Sequence, residues 1–209
     1  MQSVLASGLE RYCSRKQLDV LAAAQVGIIG AGGLGSNVAV MLARSGIRHM
    51  TIADKDIVEP SNLNRQCYWP EDVGVPKVEA LARRLSALEP TANIVTHKAE
   101  ITEDNAAQLF AHCTIIVEAV DGASTKAMLY ALFAPEKGLY VTASGMAGTG
   151  FSEEHPMISR KIRSNVVAVG DFTSAVSDDA PPLAPRVMQA AALQADAVLS
   201  HLLQNLKPS

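Results

Sequence analysis

The sequence predicts an α/β fold: a doubly wound, Rossmann-like, largely parallel sheet with antiparallel strands at its C-terminal edge. Three observations predict it. Short apolar runs bounded by glycine alternate with stretches of helical period from residue 26 to residue 143. The first run ends in Gly30, Gly32 and Gly35, spaced G-x-G-x-x-G, where a strand turns into a helix. Beyond Gly145 the helical period is lost, glycine turns take over, and a further apolar run, VVAVGD, follows.

The elements follow in order. Residues 26–30 read as a buried parallel strand. From Gly33 to Ser45, Leu34, Val38, Met41 and Leu42 share a helical face, and Gly46 suits the stop. His49–Ala53 is the second strand. Residues 55–75, rich in Pro, Asn and charge, are long for a connection, which marks a functional loop or one carrying short helical turns. Pro76–Leu88 reads as a helix with Val78, Leu81, Leu85 and Leu88 inward and Pro76 in its first turn. Asn93–Thr96 is a strand, and Thr102–Phe110 a helix with Thr102 at its N-cap. Thr114–Val120 is a strand, Ser124–Phe133 a helix and Leu139–Ala143 a strand. A Pro-rich loop, SDDAPPLAP, precedes a last helix from Arg186 to Leu203. The chain therefore divides into an N-terminal helical segment (1–24), a nucleotide-binding core (25–145) and C-terminal strands and helix (146–209), all in one domain.

Composition narrows the function classes. The 48% apolar content excludes a disordered chain, and a net charge of −3 gives no bulk attraction to nucleic acid or an acidic membrane. Cys13, Cys67 and Cys113 are odd in number, and no C-x-x-C occurs, which argues against a disulfide framework and a structural zinc site. No apolar run reaches membrane-spanning length, and the first sixteen residues lack a signal peptide's apolar core, so a cytoplasmic protein is expected.

The candidate site begins at the glycines. A strand turning into a helix through Gly30, Gly32, Gly33 and Gly35 offers bare N–H groups and a helix N-terminus to phosphate. Asp54 lies nineteen residues past Gly35, where a carboxylate holds a ribose hydroxyl pair; alone it also reads as a turn residue, as does Asp56. Arg65 and Lys77 place cations close behind, which a dinucleotide site does not need and a triphosphate does; singly, each also reads as a solvated surface residue. Asp121 ends an apolar run opposite the glycine loop. It reads either as an oxygen ligand for Mg²⁺ or as the cap of the helix that follows.

The ordered set GAGGLGS, D-x-D-x-V-x-x-S-N-L-N-R-Q, G-x-P-K-V-E-A and A-V-D-G resembles the adenylating enzymes of ubiquitin-like proteins, of the ThiF and MoeB type. The resemblance spans roughly residues 8–200. Lacking C-x-x-C, the chain resembles the shorter, zinc-free ThiF-like branch, as does its GDF…APRV…QA segment. The resemblance implies ATP and Mg²⁺, without zinc. It implies phosphate contacts at the glycines and at Arg65 and Lys77, with Asn62 and Gln66 beside them. Asp54 would be the ribose ligand and Asp121 the metal ligand needed for adenylation. It further implies a homodimer in which Arg15 reaches the partner's ATP; because RYCSRKQ is one residue longer than the family's R-Y-x-R-Q, Arg11 and Arg15 both stay open for that place.

The implied reaction is attack by the C-terminal carboxylate of a small β-grasp sulfur carrier ending in Gly-Gly on the α-phosphate of ATP. The zinc-free branch points to a ThiS-like carrier in thiamin biosynthesis. The other readings are a molybdopterin-type carrier, a carboxylate on modified tRNA, a NAD-dependent oxidoreductase resting on the glycines and Asp54 alone, and a non-catalytic nucleotide-binding module. The acidic balance argues against a large RNA footprint. Neither Cys67 nor Cys113 falls in the later loop where the family handles sulfur, and free Cys behaves as a small buried apolar residue.

Overall fold

The computed structural model describes residues 3–149 and 155–206; residues 150–154, part of the predicted glycine-rich stretch, lie outside that description. Seven strands form one sheet: β1 (Gln25–Ile29), β2 (His49–Ala53), β3 (Asn93–His97), β4 (Ile115–Glu118), β5 (Leu139–Ala143), β6 (Ile158–Arg163) and β7 (Val166–Gly170). Their spatial order is β3-β2-β1-β4-β5-β7-β6. All neighbours pair in parallel except β6 and β7. The antiparallel edge the sequence predicts is thus a single hairpin, and β7 itself extends the parallel part by lying beside β5.

Among the described residues seven helices complete the fold: α1 (Val4–Leu9), α2 (Arg15–Ala23), α3 (Gly33–Arg44), α4 (Lys77–Leu88), α5 (Glu103–Leu109), α6 (Ala123–Phe133) and α7 (Ala184–Leu203). The predicted long loop carries two short 3₁₀ turns, Pro60–Asn62 and Pro70–Asp72. The core lies in two layers. On one face of the sheet α3, α4 and α7 bury Leu34, Val38, Leu42, Val78, Leu81, Leu85, Val187 and Val198. On the other, α5 and α6 bury Phe110, Leu129 and Phe133, with the first and last of these rings edge to face at 6.2 Å. β1 and β4 are the central strands and are almost wholly apolar, as strands covered on both faces must be.

Strand order reverses between the parallel neighbours β1 and β4: the crossovers from β1 run outward through β2 to β3, while β4 starts the other half. In such sheets the crevice for a ligand opens beyond the C-terminal strand ends at that point. The loops that follow β1, β2 and β4 meet there: Gly30 packs on Ala119, and the Ala31 N–H reaches Asp54. No helix among the described residues is long and apolar enough to cross a membrane.

Candidate functional site: a nucleotide cradle at the switch point

The glycines divide by role. Gly30 has φ +97°, and a Cβ there would lie 2.6 Å from the Ala119 carbonyl oxygen, so only glycine lets β1 turn against the end of β4. A Cβ on Gly35 would fall 1.8 Å from the Gly30 carbonyl oxygen; this residue seats α3 on the turn. A Cβ on Gly33 would meet the Val187 side chain of α7 at 2.8 Å. Gly32 alone is different: its nearest neighbour would be the Gln66 amide at 3.9 Å. Gly32 is also the N-cap of α3 and has no side-chain cap, so the first N–H groups of a twelve-residue helix are left for an anion.

Two residues of the first turn of α3, which sequence reading passed over, fasten this loop to the next. Ser36 donates to the Gly32 carbonyl at 2.6 Å and accepts the Cys67 N–H at 3.0 Å. The Asn37 amide donates to the carbonyls of Gly33 (2.7 Å) and Arg65 (2.9 Å). Tyr68 adds a third tie, its hydroxyl donating to the Ala31 carbonyl at 2.7 Å and lying 3.3 Å from that of Lys77. Burial pushes the Tyr68 phenol well above its ordinary pKa, so it stays a donor. Polar residues clustered around a glycine turn were the available signal for all three.

Asp54 stands at the end of β2. Its Oδ2 accepts the Ala31 N–H at 2.6 Å and its Oδ1 the Asp56 N–H at 2.8 Å. The carboxylate thus shapes both the glycine turn and its own loop, with acceptor capacity left over. Asp56 is more than the turn residue its position suggests: its Oδ2 lies 2.8 Å from Lys77 Nζ. Lys77 is not a solvated surface cation; only 6% of it is exposed, and Asp56 is the acid that holds it. Asn62 is buried and its Oδ1 accepts the Glu59 N–H at 3.0 Å. Gln66 is buried beside Gly32 with its Oε1 unpaired among the described residues. Arg65 is half-buried; its stem crosses Gly33, and its guanidinium donates to Ser61 O (3.1 Å) and Asn64 Oδ1 (2.8 Å).

Asp121 settles one open question. Helix α6 starts at Ala123 with Gly122 as N-cap, and Asp121 caps nothing. Its carboxylate is exposed and makes no hydrogen bond or ion pair among the described residues. It lies in the same turn as Ala119 and Val120, the residues against which Gly30 packs. Across the crevice it helps to hold the Lys55 ammonium above its ordinary pKa, after the larger effects of the Glu100 hydrogen bond and charge and that of Asp56.

The turn is anchored from below by a residue sequence reading missed. Glu118 is fully buried, and its two oxygens lie 2.8 and 2.9 Å from Lys126 Nζ. The signal was a lone Glu inside an apolar run with a Lys eight residues on. Farther along the sheet, Asp171 follows β7 and pairs with Arg186 of α7. Burial works against the Asp171 carboxylate, but N–H donors from Ser174 and Thr173 and the Arg186 charge outweigh it and pull its pKa to about 2. The α7 start so fixed lies against the cradle, with Asn64 Nδ2 3.3 Å from the Pro182 carbonyl.

Arg15 is not brought to this site. It opens α2, exposed, 3.0 Å from Asp19 and 3.8 Å from Glu10. It lines a cavity of about 320 Å³ with Gly46, which follows the far end of α3. Since α3 is twelve residues long, roughly 18 Å of helix separates that end from the phosphate loop. Arg11 is exposed beside Tyr12, on the segment preceding α2. Cys113 is buried and Cys67 half-buried, each with its thiol pKa raised by burial, which suits packing rather than sulfur transfer.

The donor set suits one metal. Among the described residues no three His, Cys, Asp or Glu side chains gather as a metal cage. Mg²⁺ needs none: it is held by one or two carboxylates, water and the nucleotide's own phosphates. Asp121, a hard-oxygen donor unpaired among the described residues and beside the glycine loop, fits that pattern.

Known proteins are similar to this chain in sequence and fold. The tRNA threonylcarbamoyladenosine dehydratase of Escherichia coli (strain K12) is 34% identical over 143 residues, 68% of this chain and 53% of that protein. The sulfur carrier protein adenylyltransferase of Thermus thermophilus is 36% identical over 104 residues, 49% of this chain and 38% of that protein. In these alignments the chain spans about half the length of the first relative and less of the second. The crystal structure of E. coli TcdA, the same dehydratase, in complex with ATP has the same fold, with a TM-score of 0.85 at 24% identity over 99% of this chain and 98% of that one. The profile of the ThiF family matches residues 6–206, and with nearly the whole length accounted for, the chain belongs to the ThiF family.

Proposed function

We propose that this chain, residues 1–209 acting as one adenylation unit, catalyses ATP-dependent adenylation of the C-terminal glycine carboxylate of a small β-grasp sulfur carrier ending in Gly-Gly, of the ThiS type. The observation that carries the reading is Asp121: a carboxylate with no structural partner, on an anchored turn beside a phosphate loop. A nicotinamide oxidoreductase would leave it, and the buried Lys77, without a task.

In this reading a carboxylate oxygen attacks the α-phosphorus of ATP. A new P–O bond forms, the bond to pyrophosphate breaks, and its electron pair leaves on the pyrophosphate oxygen. Two anions must meet, and charge grows on the leaving group, so fixed positive groups lower the barrier. The α3 N-terminus and Gly32 take the phosphates, Asp54 orients the ribose, and Lys77 and Arg65 supply charge as the loop closes on ATP. Mg²⁺, when bound at Asp121, supplies further charge to the phosphates. Arg15, remote from its own cradle, serves that of a second copy in a homodimer.

A second reading, a carboxylate on modified tRNA, has its own support. Strand β6 is an exposed sheet edge carrying Arg160, Lys161 and Arg163, a local basic stretch on an acidic chain.

ATP–pyrophosphate exchange tests both. With Mg²⁺ and a ThiS-like carrier, exchange is expected to depend on the carrier's free C-terminus. Exchange with a molybdopterin-type carrier or with tRNA instead moves the substrate assignment accordingly. Mixing Arg15→Ala with Lys77→Ala chains is expected to restore part of the activity through heterodimers. No exchange with any of these substrates, with thermal stabilisation by NAD⁺ and none by Mg·ATP, rejects adenylation.

A further inference from the structure

Glu118 ends β4 with a carboxylate that has no exposed surface. Burying an ion pair costs several kcal/mol per ion, and apolar side chains of the same shape are often at least as stabilising. What these two charges do is better seen in what they hold. Lys126 Nζ points its three protons at Glu118 Oε1 (2.8 Å), Glu118 Oε2 (2.9 Å) and the Ala143 carbonyl (3.1 Å). Thr142 donates to Glu118 Oε2 at 2.5 Å, and the Gln194 amide of α7 donates to the Glu118 carbonyl at 2.9 Å. The remaining bond is the informative one: Glu118 Oε1 accepts the Val120 N–H at 2.9 Å.

The short turn after β4 is thereby held on each side. Val120 is tied to the Glu118 carboxylate, and the Gly122 carbonyl accepts the Lys126 N–H at 2.9 Å in the first turn of α6. The glycine turn closes against Ala119. Asp121 is the residue left between these fixed points, and its carboxylate is the group in the turn with no partner among the described residues. A buried carboxylate with both oxygens paired is held in one geometry, which an apolar contact does not do.

We infer that Glu118 and Lys126 are positioning residues: the buried Glu118 carboxylate, held by the partly exposed Lys126, sets the direction of the Asp121 carboxylate toward the metal–nucleotide side of the cradle. This rests on the adenylation reading. Groups that orient a metal's carboxylate ligand are commonly worth tenfold or more in metal affinity. The pair acts through Asp121 and touches neither metal nor substrate itself.

Mn²⁺ in place of Mg²⁺ gives a readout apart from turnover. Paramagnetic resonance reports free Mn²⁺ in a titration of protein with ATP. Asp121→Asn is expected to weaken Mn²⁺ binding in the presence of ATP by roughly tenfold. The paired variant Glu118→Gln/Lys126→Met keeps shape and leaves no lone buried charge. It is expected to lose about as much, with ATP affinity in the absence of metal unchanged. Adding Asp121→Asn to it should cost nothing further, since residues acting as one unit are not additive. A folded paired variant that binds Mn²⁺ like the parent, or losses that multiply in the triple variant, overturns the inference. If the paired variant does not fold, Thr142→Val takes its place. A two- to threefold loss, absent in the Asp121→Asn background, is then expected, and no loss overturns the inference. A parent protein that binds no Mn·ATP rejects the adenylation reading itself, and the inference with it.

Discussion

The ends of β2 and β4 face one another across the glycine turn and use the same local device to different ends. At β2, Asp54 Oδ1 accepts the N–H two residues on, and Asp56 follows. At β4, Glu118 Oε1 accepts the N–H two residues on, and Asp121 follows. In each case a strand-end carboxylate bends the chain and delivers a second carboxylate to the crevice. The difference is in what each delivered acid meets. Asp56, half exposed, is held by the buried Lys77, while Asp121 makes no hydrogen bond or ion pair among the described residues and its turn is fixed from beneath by Glu118, which Lys126 holds. Lysine does opposite work on the two sides: at β2 it meets the delivered acid, at β4 it stays with the anchor. β7 repeats the device a third time, with Asp171 accepting the Thr173 N–H at 2.8 Å, and there it fixes α7. One turn chemistry thus shapes the glycine loop, presents an unpaired carboxylate and fixes a helix, according to burial and partner.

The comparison can be broken most directly at the two lysine pairs. Lys126→Met leaves the buried Glu118 charge alone and should destabilise by about 3–5 kcal/mol in urea unfolding. Lys77→Met removes the buried member of the other pair and leaves only the half-exposed Asp56, which water solvates, so the lost pair should cost about 1 kcal/mol or less. Equal losses would mean the two pairs do the same job.

The glycine turn sharpens the same contrast, because it leans on the β4 side. Gly35→Ala and Gly30→Ala each force atoms into backbone, at 1.8 and 2.6 Å, and should cost about 3 kcal/mol or fail to fold. Gly32→Ala meets nothing closer than 3.9 Å. It should fold with a Tm close to that of the parent yet bind ATP more weakly. Equal ATP affinity in Gly32→Ala, read by calorimetry, would remove Gly32 from the phosphate contact.

The third strand end predicts a pH dependence. The folded-state pKa of Asp171 is about 2, below its ordinary value, so its bonds stabilise the fold above the ordinary carboxylate range. That contribution fades as pH falls from about 4 toward 2 and amounts to about 2 kcal/mol. Asp171→Asn should therefore flatten the acid limb of a stability–pH curve; an unchanged limb would show that the Arg186 pair contributes nothing there.

Much was legible in the chain itself. β2 and β5 fall on the predicted residues, and α3 stops at Gly46, whose φ is +101°. These are local matters: apolar period, glycine conformation and proline position act within a few residues, so the sequence states them directly. The glycine motif and the order Asp54, Arg65, Lys77, Asp121 were readable for the same reason, as strand-end loops of a parallel sheet gather on one side. The family resemblance was readable too, and the ThiF profile bears it out.

Tertiary structure decided what depends on distant neighbours. The parallel place of β7 beside β5 is a pairing of segments more than twenty residues apart, which no local pattern encodes. Whether Asp121 caps a helix, whether Lys77 is solvated and whether Asp56 is only a turn residue were open in sequence, because each turns on burial and on a partner supplied by another element. Glu118 and Lys126 show the limit most clearly. Eight residues apart, they read as one odd acid in a strand and one surface base. Only the packing of α6 over the ends of β4 and β5 brings Lys126 onto the fully buried Glu118, and the desolvation of that carboxylate turns two ordinary charges into an anchor.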